Sequence, residues 1–201
     1  MLAVSCFVSN AHAYGLLSLG EHFLHQSAYQ NSNKYNNRVY NERAMPARQI
    51  RIDSAVIVAF SPNGDATRVI VSEINHAQHQ ILVQAYSFTS KPIISALARA
   101  KDRGVDVEVI ADKSNEHERY SGIMRMREHH VPVWIDNTVD IAHNKVMIFD
   151  DQAVLTGSFN FSVSAQKYNA ENILLIKDDP ALANLYIKNW DWRKSLSQQI
   201  Q

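Results

Sequence analysis

The chain has 201 residues, 46% of them hydrophobic, and its 20 Lys and Arg residues are balanced by 20 Asp and Glu residues. A chain of this length forms one domain with a short appendage and can bury a sizeable apolar core. The charge balance excludes a uniformly basic surface, so any binding of a polyanion must depend on a local concentration of positive charge.

The first 13 residues are predicted to be the end of an export signal. They begin with an apolar stretch and finish in Ala11-His12-Ala13, which has the small-x-small pattern of a cleavage site. No Lys or Arg precedes the stretch, which is also too short to span a membrane, so Met1 is interpreted as an internal methionine of a longer signal. An ordinary apolar N-terminus is the alternative. We expect an exported protein, periplasmic or secreted, whose mature form has lost Cys6 and can form no disulfide.

Residues 14–51 differ in composition from the rest of the chain. They are rich in Asn, Gln, Ser and Tyr and have little periodicity, which predicts a flexible extension. Aromatic and basic side chains alternate in it and would suit stacking on bases and contact with phosphates, although a solvated tail is the favoured interpretation. These side chains are Tyr29, Lys34, Tyr35, Arg38, Tyr40 and Arg43.

From residue 52 onwards, apolar runs and turn signals alternate along the chain. The pattern predicts, in order, a buried strand at 55–60, a helix carrying Val69, Ile70 and Ile74, a strand at 81–88, a helix from Pro92 to Gly104, a strand at 105–111, a helical region at 121–129, an edge-like strand at 131–134, a strand pair at 143–156, a strand at 172–176 and a long helix at 180–198. Residues 52–201 are therefore predicted to form a layered α/β domain whose mixed, largely parallel sheet is flanked by helices.

Polar side chains are concentrated on the predicted strand pair. His143 and Lys145 are two residues apart and therefore project from the same face of a strand. The second strand ends in Gly157-Ser158-Phe159-Asn160, in which Ser158 and Asn160 have the same spacing. A base or nucleophile, a fixed cation and two neutral hydrogen-bonding groups would then meet in one small volume. Hydrolysis of a phosphodiester requires such a set of groups.

The spacing of these residues identifies a family. The order His143, Lys145 and Asp150, followed by Gly-Ser-x-Asn and then by Glu171, resembles the phospholipase D superfamily, and most of all its small bacterial endonucleases with a single copy of the motif. The resemblance extends from about residue 52 to the C-terminus and includes 85–89 and 104–107. It implies a phospholipase D-like fold and a phosphodiester hydrolase that needs neither a metal nor a cofactor.

A single motif has a consequence for the mechanism. One histidine cannot act at once as the nucleophile and as the acid that protonates the leaving oxygen. The family uses two facing motifs, so this chain is predicted to form a two-fold homodimer in which both copies of His143 meet. One imidazole would attack phosphorus to give a phosphohistidine, while the other would protonate the leaving group and then activate water. The two rings would titrate as a coupled pair.

The resemblance also implies roles for the remaining motif residues. Lys145 and Asn160 are expected to bind the phosphoryl oxygens, with Ser158 as a further donor. Glu171 is the candidate for holding the far nitrogen of the catalytic imidazole.

Asp150 is predicted to have a structural role. It lies an odd number of residues from His143 and from Lys145, so an unbroken strand would direct it to the opposite face. We expect Asp150 to support the turn after the first strand of the pair. Gly157 is expected to support the corner 157–160 that ends the second strand, called the glycine corner below.

No metal site is expected, because the other histidines form no ligand set. They are interpreted as surface residues: His22, His25, His76, His79, His129 and His130. Six cations would suit the rim of a groove, with an ordinary helix surface as the default interpretation: Arg99, Arg103, Lys113, Arg119, Arg125 and Arg127.

The expected function is that of a non-specific endonuclease acting on DNA, with RNA as a second substrate and no stable insertion in a membrane. The alternative is a phospholipase D-type lipid phosphodiesterase. The sequence shows no obvious apolar membrane-binding face, although Phe159 and Phe161 near the site would suit contact with either bases or acyl chains. A nucleic-acid-binding module with a silent site is a third possibility, which the complete set of polar residues disfavours.

Overall fold

A computed structural model describes residues 54–116, 118 and 120–200. These residues belong to one compact unit that spans Arg48–Gln201. The signal predicted at 1–13, the extension at 14–51, and the side chains of His22, His25 and Arg119 lie outside the described residues.

Eight strands and five α-helices make up the described fold. In chain order they are β1 (Val56–Ser61), α1 (Ala66–His76), β2 (Gln80–Ala85), α2 (Lys91–Asp102), β3 (Asp106–Asp112), α3 (Ile123–Glu128), β4 (Val133–Asp136), β5 (Lys145–Phe149), β6 (Ala153–Gly157), α4 (Val163–Lys167), β7 (Glu171–Ile176), α5 (Pro180–Leu196) and β8 (Gln198–Ile200). All eight strands form one sheet in the order β1-β7-β6-β5-β2-β3-β4-β8. The predicted layered α/β fold with a mixed sheet is confirmed.

The strand directions correct one part of that prediction. Only the pairs β2–β3 and β3–β4 are parallel, and the other five pairs in the described sheet are antiparallel. Helices α2 and α3 supply the long crossovers that parallel pairs need, whereas β5 and β6 follow each other through a tight turn. The expectation of a largely parallel sheet is therefore wrong.

Helices cover both faces of the sheet, because the central strands carry apolar side chains on both faces. In β2, Ile81 and Val83 pack in the apolar cluster beneath α1, α2 and α3, while Leu82 packs in a second cluster with Leu182 and Trp190 of α5. No helix among residues 54–200 is long and apolar enough to cross a membrane.

β1 departs from its predicted burial. It lies at the edge of the sheet, where within the described residues it pairs with β7. Val56, Ile57, Val58 and Phe60 are exposed, and Phe60 retains 63% of its accessible surface. A continuous apolar run indicates a strand, but it does not distinguish a strand in the middle of a sheet from one at its edge.

Candidate active site

The motif residues meet at one end of the sheet because β5, β6 and β7 are successive antiparallel neighbours. β5 begins at Lys145, β6 ends at Gly157 and β7 begins at Glu171, so these three strand ends lie side by side. His143 lies two residues before β5 and is exposed. The structure thus brings the predicted catalytic residues to one end of these three central strands.

Lys145 is buried and held in place. It retains 7% of its accessible surface, and its Nζ donates a hydrogen bond of 2.6 Å to the carbonyl oxygen of His143. Burial lowers the pKa of Lys145, and the carboxylate of Glu171 acts in the opposite direction. A cation in this position is poorly hydrated and therefore well suited to receive a phosphoryl oxygen.

The imidazole of His143 lies against an aromatic ring. The ring centres of Tyr86 and His143 are 4.5 Å apart with a tilt of 59°, and Nζ of Lys145 lies 5.1 Å from the centre of the Tyr86 ring. Tyr86 is itself fixed, since its N–H donates to the carbonyl of Asn144 at 3.0 Å and its carbonyl accepts from Nδ2 of Asn115 at 2.5 Å. No role was predicted for Tyr86 from the sequence. Its position directly after the strand at 80–85 is the one sequence feature that could have indicated a place in the site.

The glycine corner is shaped by close backbone packing. A Cβ atom on Gly157 would lie 2.2 Å from the carbonyl oxygen of Asn172, so only glycine fits between β6 and β7 there. Ser158 Oγ accepts a hydrogen bond of 3.1 Å from the N–H of Asn172, which leaves the hydroxyl proton of Ser158 available for a ligand.

The side chain of Asn160, at the end of the glycine corner, does not form all the hydrogen bonds that it could. Its Oδ1 is buried and has no hydrogen-bond partner in the described part of the chain. A donor from a substrate or from a second chain would satisfy this oxygen, because buried polar atoms are normally paired.

Glu171 is half-buried at the start of β7. Its Oε1 accepts a hydrogen bond of 3.0 Å from Nδ2 of Asn169, and its charge acts on Lys145. Among the described contacts, no hydrogen bond joins Glu171 to His143 within one chain. The predicted bond to the imidazole therefore stays a prediction for the assembled enzyme.

Asp150 lies at the far end of β5, away from His143. Its carboxylate accepts backbone N–H groups of Gln78, His79 and Gln80 at 2.9, 2.7 and 2.9 Å. Burial alone would raise the pKa of Asp150, but these three donors outweigh it and hold the pKa below its usual value. Asp150 thus ties the start of β2 to the turn after β5 and makes no contact with the catalytic residues.

A second aspartate supports the segment that carries His143. Asp112 retains 3% of its accessible surface at the end of β3, and its two oxygens accept from the N–H of Ala142 at 2.8 Å and of Ser114 at 2.9 Å. Burial would raise the pKa of Asp112, and the hydrogen bonds from Ser114 and Ala142 lower it overall. Local sequence patterns do not indicate this role for Asp112, because its partner Ala142 is 30 residues away.

The other predicted side chains lie elsewhere. Among the described residues, no group of three or more His, Cys, Asp or Glu side chains could hold a metal ion. His129 contacts Asp102 at 2.8 Å, and Arg103 donates to the carbonyls of Ile74 and Ala77, so both stabilise helix ends. Lys113 lines a cavity that Tyr86 also lines, and Arg125 lines a second, separate cavity.

Comparison with known proteins agrees with this geometry. Residues 70–193 match the family described as "Cardiolipin synthase, PLD-like domain". A protein named phospholipase D from Rickettsia prowazekii is 42% identical over 147 residues, which cover 73% of this chain and 71% of that protein. The mitochondrial cardiolipin hydrolase of Xenopus laevis is 34% identical over 115 residues, 57% of this chain and 54% of the hydrolase.

The same likeness holds among solved structures. The crystal structure of Nuc from Salmonella typhimurium, a phospholipase D family member, matches with a TM-score of 0.71 and 36% identity, over 74% of this chain and 99% of Nuc. The fold and the site define a phosphodiesterase with a His-Lys pair at the start of a central strand of a mixed sheet. The chain belongs to the phospholipase D superfamily, as its motif predicted.

Proposed function

We propose that this phosphodiesterase is a metal-independent endonuclease that hydrolyses DNA, with RNA as a second substrate, at a site shared by two chains. The observation that carries the proposal is that the exposed imidazole of His143 and the buried ammonium of Lys145 both lie against the ring of Tyr86. These two groups supply a nucleophile and a fixed positive charge without a metal ligand set.

The homodimer is proposed because one chain contributes one motif histidine. The ring of His143 contacts Tyr86 on one side and is otherwise exposed, so a second chain has access to it. The carboxylate of Glu171 forms no hydrogen bond with His143 in the described chain and is proposed to complete its bonding in the dimer. A two-fold axis beside the ends of the strands that carry the site would bring both imidazoles to one phosphate.

The proposed reaction has two displacement steps. In the first, a nitrogen of one His143 forms a bond to phosphorus, the bond from phosphorus to the leaving sugar oxygen breaks, and the second His143 gives that oxygen a proton. In the second step, the His143 that gave up its proton takes a proton from water. The water oxygen then forms a bond to phosphorus and displaces the nitrogen of the first His143, which releases the phosphate monoester. Lys145, Ser158 and Asn160 stabilise the charge on the phosphoryl oxygens in both steps.

A second candidate function is hydrolysis of a phospholipid. The relative from Rickettsia prowazekii is named phospholipase D, and exposed apolar side chains lie beside the site end of the sheet in this chain. Tyr120, Met124 and Val163 are the exposed residues concerned, with 71%, 62% and 42% of their surface accessible. Aromatic and apolar residues of this kind would suit the interface of a lipid bilayer. Phe159 and Phe161 are fully buried in the apolar core, so the expectation that they contact bases or acyl chains is wrong.

Plasmid nicking in EDTA separates the candidates. Wild-type protein should nick the plasmid, His143→Ala should not, and His76→Ala is the matched control because His76 lies on α1 with Nδ1 bonded to the carbonyl of Ser72. Release of a headgroup from phosphatidylglycerol and phosphatidylethanolamine vesicles with the plasmid left intact would select the lipid hydrolase instead.

Sedimentation of the active species should give a dimer, and a fully active monomer would contradict the shared site.

Export to the periplasm or the medium is also proposed, on the basis of residues 1–13 alone. Cell fractionation of the native protein tests it, because an exported enzyme should be recovered outside the cytoplasm with a shortened N-terminus. Recovery in the cytoplasm at full length would contradict it.

A further inference from the structure

Two cavities of similar size are lined by segments that adjoin residues of the candidate site. The first, of about 500 Å³, is bounded by Tyr86 and lined by Asp112, Lys113, Glu116 and Asp140, and is called the acidic cavity below. The second, of about 520 Å³, lies between α2 and α3 and is called the α2–α3 cavity; its lining includes Thr89, Lys91, Ile94, Glu118, Arg125 and Val163. Each cavity is a candidate path for a substrate longer than one phosphodiester.

The α2–α3 cavity lies close to the catalytic residues along two segments of the chain. Thr89 is three residues after Tyr86, and Val163 is three residues after Asn160. Three residues span at most about 11 Å even when fully extended. The two segments are also joined, since the N–H of Thr89 donates to the carbonyl of Phe161 at 2.9 Å. A strand bound at the catalytic pair therefore reaches this cavity within a short distance.

The charges of the two cavities differ in sign. Three carboxylates and one ammonium line the acidic cavity, whereas two cations and one carboxylate line the α2–α3 cavity. A phosphate chain is attracted by the second lining and repelled by the first, and a concave wall strengthens both effects. A polyanion is therefore directed towards α2 and α3.

The two cations of the α2–α3 cavity are available to a ligand. Lys91 is exposed and, within the described residues, forms no hydrogen bond or ion pair. Arg125 pairs with Glu128 at 3.0 Å on the exposed surface of α3, and such pairs are weak enough for a phosphate to replace. The lining is largely apolar and includes Ile94 and Val163, and a cavity of this volume accommodates a planar group such as a nucleobase.

We propose that the nucleic-acid strand extends from the catalytic pair into the α2–α3 cavity, where a nucleobase lies between the apolar walls and neighbouring phosphates contact Lys91 and Arg125. The inference rests on the proposed nuclease function and adds to it the path of the substrate. Sequence preference is expected to be small, because the cavity offers apolar surface and charge and few groups that would read a base edge.

The matched pair of variants is Lys91→Ala and Lys113→Ala, because each removes one exposed lysine from one of the two cavities. For cleavage of a single-stranded DNA 12-mer, Lys91→Ala should raise KM by about three- to tenfold and reduce the slope of log KM against log salt by about 0.7. Lys113→Ala should leave both quantities unchanged. Both variants should hydrolyse bis(4-nitrophenyl) phosphate like the wild type, because this diester has no neighbouring phosphate for either lysine to bind.

Each other outcome overturns the proposal in a recognisable way. Equal effects of the two variants, or a change with Lys113→Ala alone, would show that the strand does not follow the α2–α3 cavity although the enzyme is a nuclease. If the wild type hydrolyses the small diester but cleaves no DNA or RNA, the nuclease function fails as well. If Lys91→Ala instead slows hydrolysis of phosphatidylglycerol vesicles by a wild type that leaves the 12-mer intact, the cavity binds lipid. Lys91→Arg should restore the wild-type KM and salt slope.

Discussion

The ring of Tyr86 lies against the imidazole of His143, 4.5 Å from centre to centre, and also faces the ammonium of Lys145 at 5.1 Å. One aromatic side chain thus contacts both members of the catalytic pair. It restricts the imidazole without using either ring nitrogen, so both nitrogens stay available for chemistry. Since backbone hydrogen bonds to Asn144 and Asn115 hold Tyr86 itself, the contact is a firm support.

Removal of the Tyr86 ring is predicted to slow catalysis. In Tyr86→Leu, kcat should fall by about 10- to 100-fold because the imidazole is no longer held in its attacking position, while KM for DNA should change little. Tyr86→Phe keeps the ring and should retain most of kcat, since the hydroxyl is not part of either contact. Steady-state kinetics on DNA and on bis(4-nitrophenyl) phosphate measure both effects. A rise in KM with unchanged kcat would assign Tyr86 to substrate binding instead.

The charge of Lys145 is predicted to limit activity at high pH. The reaction needs the ammonium form, and burial lowers the pKa of Lys145, so activity should be lost with rising pH sooner than an ordinary lysine would cause. The carboxylate of Glu171 opposes this shift. Glu171→Gln should therefore lower the pKa of Lys145 further, as measured by NMR titration of ¹³C-labelled lysine side chains. Glu116→Gln, in the acidic cavity, is the control and should leave the titration of Lys145 unchanged.

Asp150 is predicted to stabilise the fold in a pH-dependent manner. Its pKa in the folded chain lies below the unfolded value, so its contribution is present above the unfolded pKa and is lost as pH falls through the folded pKa. Asp150→Asn should lower the free energy of unfolding by about 1–2 kcal/mol at pH 7 and by less in acid. Urea denaturation at several pH values measures the difference.

Asp151→Asn is the matched control for this experiment. Asp151 is an exposed neighbour that also has a positive φ, of 56°, close to the 51° of Asp150. It should show no comparable loss, because asparagine tolerates such a φ. An equal effect at both positions would assign the stability to the turn and not to the three backbone donors of Asp150.

Gly157 is predicted to be intolerant of any side chain. A Cβ atom would lie 2.2 Å from the carbonyl of Asn172, so Gly157→Ala should separate β6 from β7, cost about 1–3 kcal/mol of stability and displace Ser158 from the site. Gly104→Ala is the control, since Gly104 also has a positive φ, of 94°, but its Cβ would meet no atom within 4 Å. It should lose some stability through backbone strain alone and keep its kcat. Thermal unfolding together with kcat separates the two variants.

The sequence predicted the parts of the site that depend on local periodicity. The two-residue spacing of His143 and Lys145 and the strand–turn–strand order were sufficient to indicate a polar cluster at a strand pair. The same spacing rule predicted Asp150 to lie apart from the catalytic residues. These inferences needed only residues that are near each other in the chain.

The rest depends on contacts between distant segments. Tyr86 meets His143, and Asp112 meets Ala142, only because β2, β3 and β5 are neighbours in the sheet. The strand directions were predicted wrongly for the same reason. The order of strands and helices along the chain does not determine which strands pair in the sheet. The exposure of β1 likewise follows from its place at the edge of the sheet.

The position of β1 limits how two catalytic centres can approach each other. β1 and β5 are separated by β7 and β6, so joining two sheets along their β1 edges would place the two β5 strands seven strand spacings apart. At about 4.8 Å per spacing this is roughly 34 Å, far beyond the reach of two imidazoles around one phosphorus atom. A continuous sixteen-stranded sheet is therefore incompatible with shared catalysis. In the proposed homodimer, the two copies are therefore expected to approach through the loops at the strand ends.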